Sequence, residues 1–542
     1  MSERTERKSH WLPPIKGRGR IVGRIVWLLL TLILGTIVWM QTSDAFGDHG
    51  MANAFSMMAA TLLLIVWLLW FLLASGQRWW MRLVPVIALG LIGLGFNSLY
   101  RFEDVSGEFV PRFVPRSAEK PDRELAALAT DGAGGVDLVT TSANDFPQFL
   151  GPNRNLAIDH IELARDWEAQ PPKLVWRQPI GAGWGAFSVV NGYAVTMEQR
   201  GDDENVTCYD ARTGEVQWSH THAARYEVAI AGIGPRTTPT ITGGMVYTQG
   251  ALGQLLALDG ATGRVVWEKD MLAEHAKSPE QETAALPYGR SGSPLIVDDL
   301  LIVPGGGPTD GKQVSLIAYD KNTGAKVWEG GDEQISCSSP AIATVGGVRQ
   351  ILIVNESSAS GHDVTNGRVL WRHPREGKSN ANANVSQAVA VGPNQVFLSK
   401  GYALGATLIE LVAKGDGTFD TREIWQNSRV MRTKFTNVAI KDGYAYGLSD
   451  GILECIELAT GERMWKGGRY KHGQILRVGD LLLVLAESGE VLLIEATPER
   501  KNHVLGRFQA IEGKSWNNLA LYGSLLLVRN GEEAAAYELP LA

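Results

Sequence analysis

The sequence predicts an all-β fold, an eight-bladed β-propeller, carried behind three transmembrane helices. Three observations predict it. A turn-and-tryptophan motif recurs round the chain, a second type of hairpin recurs beside it, and three long apolar runs precede both.

The motif is clearest at residues 257–267, ALDGATGRVVW. An Asp that can bond its own backbone ends a strand, and Thr262-Gly263 supplies a turn with a glycine suited to positive φ. Arg-Val-Val-Trp then starts a second strand whose alternation sets Trp267 against a sheet face. In the same way residues 209–214 lead to Trp218, 319–324 to Trp328, 363–367 to Trp371 and 458–461 to Trp465. Two weaker copies fill the gaps. Residues 409–411 pass through a longer turn, 414–417, to Trp425, and 494–497 run to Phe508. Recurrence every 40 to 60 residues or so is the spacing of four-stranded propeller blades.

The second repeat is a short apolar hairpin after each anchor. Its eight copies start at Ser188, Thr237, Ser293, Ser339, Gln387, Asn437, Gln474 and Asn518. Only seven aromatic anchors follow the first copy, and Trp176 in KLVWRQPIG supplies the eighth. The last strand, 534–539, has no Trp of its own. Residues 173–177 are therefore expected to pair beside it and close the ring, which removes the open sheet edges.

These residues carry a resemblance. AxDxxTGxxxW and its variants resemble the tryptophan-docking motifs of the pyrroloquinoline-quinone (PQQ) propeller superfamily, over roughly residues 146 to 541. That superfamily holds quinoprotein alcohol dehydrogenases and also non-enzymatic members, among them the propeller lipoprotein of the outer-membrane barrel-assembly machinery. The chain resembles the latter more than the former. The resemblance implies that Trp176, Trp218, Trp267, Trp328, Trp371, Trp425 and Trp465 pack between adjacent blades.

Taken in order, residues 1–20 are a basic tail with Arg4, Arg7, Lys8, Lys16, Arg18 and Arg20. Residues 21–100 hold three apolar spans, at 21–40, 55–75 and 83–100, each near bilayer length. Positive charge before the first and at Arg78 and Arg82, between the second and third, places both regions on the cytoplasmic side. The propeller is then exoplasmic, and in a Gram-negative host periplasmic, above the inner membrane. A signal-peptide cut after Ser43-Asp44-Ala45 is the alternative, and the two later spans would still hold the chain. Residues 101–144 read as an exoplasmic tether with a short helix at 123–130, and 145–542 as the propeller. FPQFLGPNRN, from Phe146, looks like the propeller's entry motif, with Phe149 on the outer surface of the ring.

The chain has 542 residues, a net charge of −7 and 45% hydrophobic residues, enough for one large domain with additions. No basic stripe crosses the repeats, which argues against nucleic acid. Cys208, Cys337 and Cys455 fall in different blades and are expected as buried thiols at strand positions.

Propellers bind ligands at the channel mouth, so the residues just before each hairpin are the candidate site. They are Trp184, Arg236, Arg290, Asn384, Lys434, His472 and Trp516, with Gln474 and Asn517 among their neighbours. Cations pair with carboxylates, amides bond hydroxyls and Trp faces stack on flat rings, so the ring suits a small anionic or hydroxylated ligand. PQQ, a planar tricarboxylate, fits that chemistry. The resemblance to the dehydrogenases also implies adjacent cysteines, a Ca²⁺ site and a catalytic Asp. Here no two cysteines are adjacent and no CxxCH haem motif occurs. Few acids are expected at the mouth, Glu333 nearest and Asp310 in a loop. His220-Thr221-His222 has metal-ligand types, but HxH alternation on a strand tip is common and no third ligand is evident. No catalytic residue and no metal ligand is assigned. The reading is a binding or scaffold module for an envelope protein or small ligand. The rival is a PQQ-dependent oxidoreductase of alcohols or sugars that feeds the membrane quinone pool.

Overall fold

A computed structural model describes residues 17–43, 48–126, 128, 135–228, 230–275, 277–378 and 382–542. The chain divides into two compact units, Met1–Ala118 and Glu119–Ala542. Most of the basic tail, the Asp44-Ala45 junction and part of the helix expected at 123–130 lie outside the described residues.

In the first unit three helices, α1 (Gly17–Thr42), α2 (His49–Ala74) and α3 (Trp79–Leu99), are long and apolar enough to cross a membrane. The chain is therefore read as a membrane-anchored propeller. The helices run past the apolar spans. The start of α2 moves back to His49 because Asp48 caps it, accepting from the Met51 amide at 3.0 Å. At the other end of α2, the Arg82 guanidinium bonds the carbonyls of Leu72 (3.0 Å) and Gln77 (2.8 Å).

The tether expected at 101–144 has structure instead. Tyr100–Val105 pairs antiparallel with Pro111–Pro115, closed by an Arg112–Asp104 ion pair at 3.1 Å. In the second unit, Asp122 is fully buried against Arg225 (2.7 Å), and its carbonyl accepts from the Gly201 amide. Val136 and Leu138 sink into the apolar core shared by the first two blades. Charge pairing and apolar burial hold a stretch whose composition looked like that of a free linker.

Eight sheets form the propeller. Blade 1 is built from Ser188–Val190, Tyr193–Arg200, Asp203–Asp210 and Val216–Ala223, hydrogen-bonded in that order. Blades 2 to 7 repeat the meander at residues 240–270, 295–330, 341–374, 389–427, 439–469 and 474–509. Blade 8 takes three strands from residues 520–538 and its fourth from Lys173–Pro179. Lys173 pairs with Glu538 and Trp176 with Ala536, the closure expected from the missing anchor.

The docking turns follow from local chemistry. The Asp210 carboxylate accepts from the amides of Arg212 and Thr213, and Asp320 from those of Asn322 and Thr323, an Asx turn in each case. Gly263 sits at φ +73°, and a Cβ there would come within 2.6 Å of the Trp218 ring. Each indole N–H donates to a carbonyl of the next blade: Trp176 to Ala211, Trp218 to Gly260, Trp267 to Lys321, Trp328 to Val364, Trp425 to Leu458 and Trp465 to Thr497. Trp371 departs. It is buried against Phe419 and Leu411 of blade 5, but its N–H turns to Gln350 of its own blade at 2.6 Å. The longer turn of blade 5 is closed by Asp416 on Thr418.

The entry motif runs along the inner edges of several blades. Phe146, not Phe149, is fully buried, and it bridges Val189 of the innermost strand of blade 1. Ile241 of blade 2 donates to the Pro147 carbonyl, and the Arg154 guanidinium reaches the carbonyls of Ser293 and Pro294 beside blade 3. Gln387, beside blade 5, bonds the Arg154 carbonyl, and Ala157–Ile158 adds a parallel strand to blade 7. Phe149 is half-buried under Arg154, whose guanidinium lies 5.7 Å from its ring, rather than on the outer surface. These contacts tie the segment to the innermost strands of blades 1, 2 and 7 and to the residues just before those of blades 3 and 5.

Candidate binding site at the channel mouth

Each mouth residue stands on a loop that runs from the outermost strand of one blade to the innermost strand of the next. Buried carboxylates pin these loops by their backbone. Glu198 accepts from the Gly181 amide (2.6 Å), Glu454 from Met431 (2.6 Å) and Glu487 from His472 (3.1 Å). Burial alone would raise the Glu198 carboxyl, but Arg200, Thr207, Tyr209 and Arg529 hold it below its ordinary value. The expectation of few acids at the mouth is thus corrected. They sit singly at strand ends, far apart in sequence, where no local pattern marks them. Glu333 accepts from Ser358 at 2.8 Å, and Asp310 is an exposed loop residue.

The candidate residues divide into two sets. Three are engaged with their own surroundings. Arg290, 1% exposed, bonds Glu282 (2.7 Å) and the carbonyls of Pro304 and Gly305. Lys277 joins Glu282 from the other side at 2.7 Å. Arg236 bonds the carbonyls of Ala231, Gly232 and Gly234 and lies 4.5 Å over the Tyr226 ring; burial lowers its guanidinium to about 10. Asn384 donates to the carbonyls of Asn355, Glu356 and Arg375.

Lys434 is buried 5.5 Å over the Tyr402 ring. Near Asn384 lies a lysine that the sequence did not single out. Lys400 is 2% exposed and donates to the Glu376 carbonyl at 2.6 Å. Burial, with Arg375 adding like charge, pushes its amine down to about 7.

The other set converges. The rings of Trp184 and Trp516 lie 4.9 Å apart at 39°. Phe435 joins Trp516 at 5.0 Å and His472 at 5.2 Å. The Lys514 ammonium stands 4.4 Å over Trp516 and 5.1 Å over Trp184. Trp184, Phe435 and Trp516 are half-buried, so solvent reaches part of each ring. Two amides hold the cluster. Gln474 donates to the carbonyls of Phe435 (3.0 Å) and Trp516 (2.8 Å), and Asn517 to those of Gly183 (3.0 Å) and Gly185 (2.8 Å) on either side of Trp184. The indole N–H groups of Trp184 and Trp516 and the side-chain oxygens of Gln474 and Asn517 are buried without hydrogen-bond partners. Phe435 and Lys514 were missed because an aromatic beside Lys434 and a lysine two residues before Trp516 follow no repeat.

The thiols do not pair. Cys208 and Cys455 are buried in blades 1 and 6, but Cys337 is half-buried in the loop between blades 3 and 4 rather than on a strand. Burial pushes the Cys337 thiol up to about 11.

The ring of eight four-stranded blades, closed by an N-terminal strand and joined by indole-to-carbonyl bonds, defines a PQQ-like propeller. Comparison with known proteins agrees. The family model described as "Outer membrane protein assembly factor BamB" matches residues 169–308 and 202–467, together more than half of the chain. The chain belongs to that PQQ-like propeller family. The dehydrogenase subunit of alcohol dehydrogenase (quinone) from Komagataeibacter europaeus is 29% identical over 220 residues, 37% of this chain and 28% of the relative. The lanthanide-dependent methanol dehydrogenase of Methylacidiphilum fumariolicum is 30% identical over 135 residues, 23% of this chain and 20% of the relative. The chain thus spans under a third of the length of these curated relatives. Among solved structures, the quinohemoprotein alcohol dehydrogenase from Comamonas testosteroni superposes with a TM-score of 0.50 at 12% identity, covering 73% of this chain and 80% of that one. That likeness is one of fold.

Proposed function

We propose that this is a membrane-anchored binding module whose channel mouth takes a flat ligand bearing anionic groups. One observation carries the reading: two half-exposed indoles at 4.9 Å, a lysine ammonium over both, and four buried polar atoms of the same cluster without partners. Buried donors and acceptors cost free energy unless something bonds them. A planar ligand lying against the indoles would meet the two N–H donors and the two amide oxygens, and its carboxylate would pair with Lys514.

PQQ has that chemistry and is the probe to use. Titrated into the full chain in detergent, it is expected to quench tryptophan fluorescence at one equivalent, and Trp516→Ala is expected to weaken binding by about tenfold or more. Stoichiometric binding indifferent to Trp516 would move the site elsewhere. No binding would leave the mouth to a different ligand or to a protein loop. The printed names of the relatives favour a second reading, a PQQ-dependent oxidoreductase of alcohols or sugars. Dye-linked oxidation of alcohols by the PQQ-loaded chain would establish it.

The reading includes an exoplasmic propeller above a bacterial inner membrane and an envelope protein as partner. Basic residues before α1 and between α2 and α3 support that orientation. The family model's description, an assembly factor, supports a protein partner. A C-terminal alkaline phosphatase fusion is expected to be active in intact cells. Activity from a reporter that works only in the cytoplasm would reverse the orientation.

A further inference from the structure

We propose that Glu204, His220 and His222, at the interface of blades 1 and 2, form a binding site for a divalent transition metal. The two imidazoles occupy alternate positions of the outermost strand of blade 1, so they share the face turned toward blade 2, as Trp218 does. Their ring centres lie 6.2 Å apart, with the planes 27° from parallel. The third group comes from the neighbouring strand, where Glu204 stands directly opposite His222. Cross-strand partners have Cβ atoms about 5 Å apart, so a carboxylate there reaches the same point as the imidazole. His222 Nε2 and Glu204 Oε1 are 3.2 Å apart. Two ligand atoms on a tetrahedral metal with bonds of about 2.1 Å are separated by roughly 3.4 Å, so this pair already has the bite of a metal edge.

A second observation is independent of the residue types. Glu204 is 2% exposed, and its Oε1 has no hydrogen-bond partner. Both ring nitrogens of His222 are buried, and neither is hydrogen-bonded. His222 Nε2 and Glu204 Oε1 thus face each other at 3.2 Å without the alignment of a hydrogen bond, and His222 Nδ1 has no hydrogen-bond partner, an arrangement that a cation bound between the groups would relieve. Blade 2 fixes the carboxylate from behind. The Ala251 amide donates to Glu204 Oε2, and a Cβ on Gly250 would fall 2.3 Å from Oε1, so the glycine backbone packs directly on that carboxylate.

Among the described residues no three such groups already converge on one point. His220, only half-buried, is the member that turns, since His222 and Glu204 already face each other. Two imidazoles and one carboxylate suit Zn²⁺, Co²⁺ or Fe²⁺ and leave coordination positions open; they do not suit Ca²⁺, which asks for six or more oxygens. The site is separate from the aromatic cluster at the mouth and does not depend on what binds there.

The test uses the full chain in detergent, stripped with a chelator and then titrated with Zn²⁺ or Co²⁺. One ion per chain is expected, with the intense visible absorption of four- or five-coordinate Co²⁺ and a melting point raised by Zn²⁺. His220→Gln and His222→Gln are each expected to weaken binding by roughly tenfold or more. Glu204→Gln is expected to weaken it and shift the Co²⁺ spectrum. Thr221→Ser, whose hydroxyl is turned to Asn205 at 2.6 Å, is the control and should bind as the parent does. Failure of the parent to take up a stoichiometric ion would overturn the proposal, as would equal affinity in either histidine variant. Melting of the metal-free variants separates a lost ligand from a lost fold.

Discussion

Single residues show how far a local motif determines a contact. Trp267 is 9% exposed, packs on the Gly324 turn and donates to Lys321. Trp267→Ala is expected to cost about 3–5 kcal/mol, read as a lowered denaturant midpoint, while PQQ affinity stays unchanged. Trp371 should differ in kind. With its N–H on Gln350, Gln350→Leu leaves a buried donor unpaired and is expected to cost about 1–3 kcal/mol, although no blade-to-blade bond is lost. His362 adds a pH dependence. It lies in blade 4, bonded by Ser360 and the Gly367 carbonyl, and burial lowers its imidazole to about 4. Above its ordinary value of 6.5 it is neutral in both folded and unfolded chains, and its neutral fit is fully effective. As pH falls from 6.5 toward 4 the unfolded chain binds the proton first, so stability drops, by up to about 3 kcal/mol. His362→Gln is expected to flatten that acid limb in unfolding measured against pH. The Asp-Thr-Gly turns and their tryptophans were legible because each is a few consecutive residues. The Phe435–Trp516 contact was not, since it depends on Gln474 reaching two loops at once.

Elements were read well where their partners were regular and less well where an irregular segment met the ring. The closing strand Lys173–Pro179 followed from counting anchors against hairpins, and Trp176 opposite Ala536 sets its register. The segment from Phe146 was recognised as an entry motif, with Phe149 alone expected on the outer surface. Its hydrogen bonds go to strand ends of several blades, and no sequence periodicity reports such cross-ring contacts. Arg154 is 3% exposed, and burial lowers its guanidinium to about 9. Arg154→Ala removes the donors on Ser293 and Pro294 and is expected to destabilise by about 2–4 kcal/mol. Faster amide exchange in the innermost strands of blades 2 and 3 would locate the loss; uniform exchange throughout the propeller would deny that the segment ties these blades. The linker was misjudged for a related reason. It was expected as a tether, yet Asp122 is buried against Arg225, just after the first blade.

For the whole molecule, eight blades and three apolar helices were both visible in the chain, since repeat number and span length survive without knowledge of any contact. Function was less visible. Of the cations expected at the mouth, Arg236 and Arg290 hold their own loops and Lys434 lies over Tyr402, while the cation over the indoles is Lys514, outside the expected set. A closed ring makes every blade a neighbour of two others, so the origin of a side chain in sequence says little about which side chains it meets at the centre.

The closing strand also imposes an order in time. Lys173–Pro179 is made before any blade, and its partner, Glu533–Glu538, is made after all the rest. During synthesis that strand waits without its ladder partner, with a tryptophan at its centre. The ring cannot be completed blade by blade as the chain emerges. It is sealed only when the newest residues meet the oldest of the ring, which makes the closing step the slowest contact to form and the stage most exposed to mispairing with another chain.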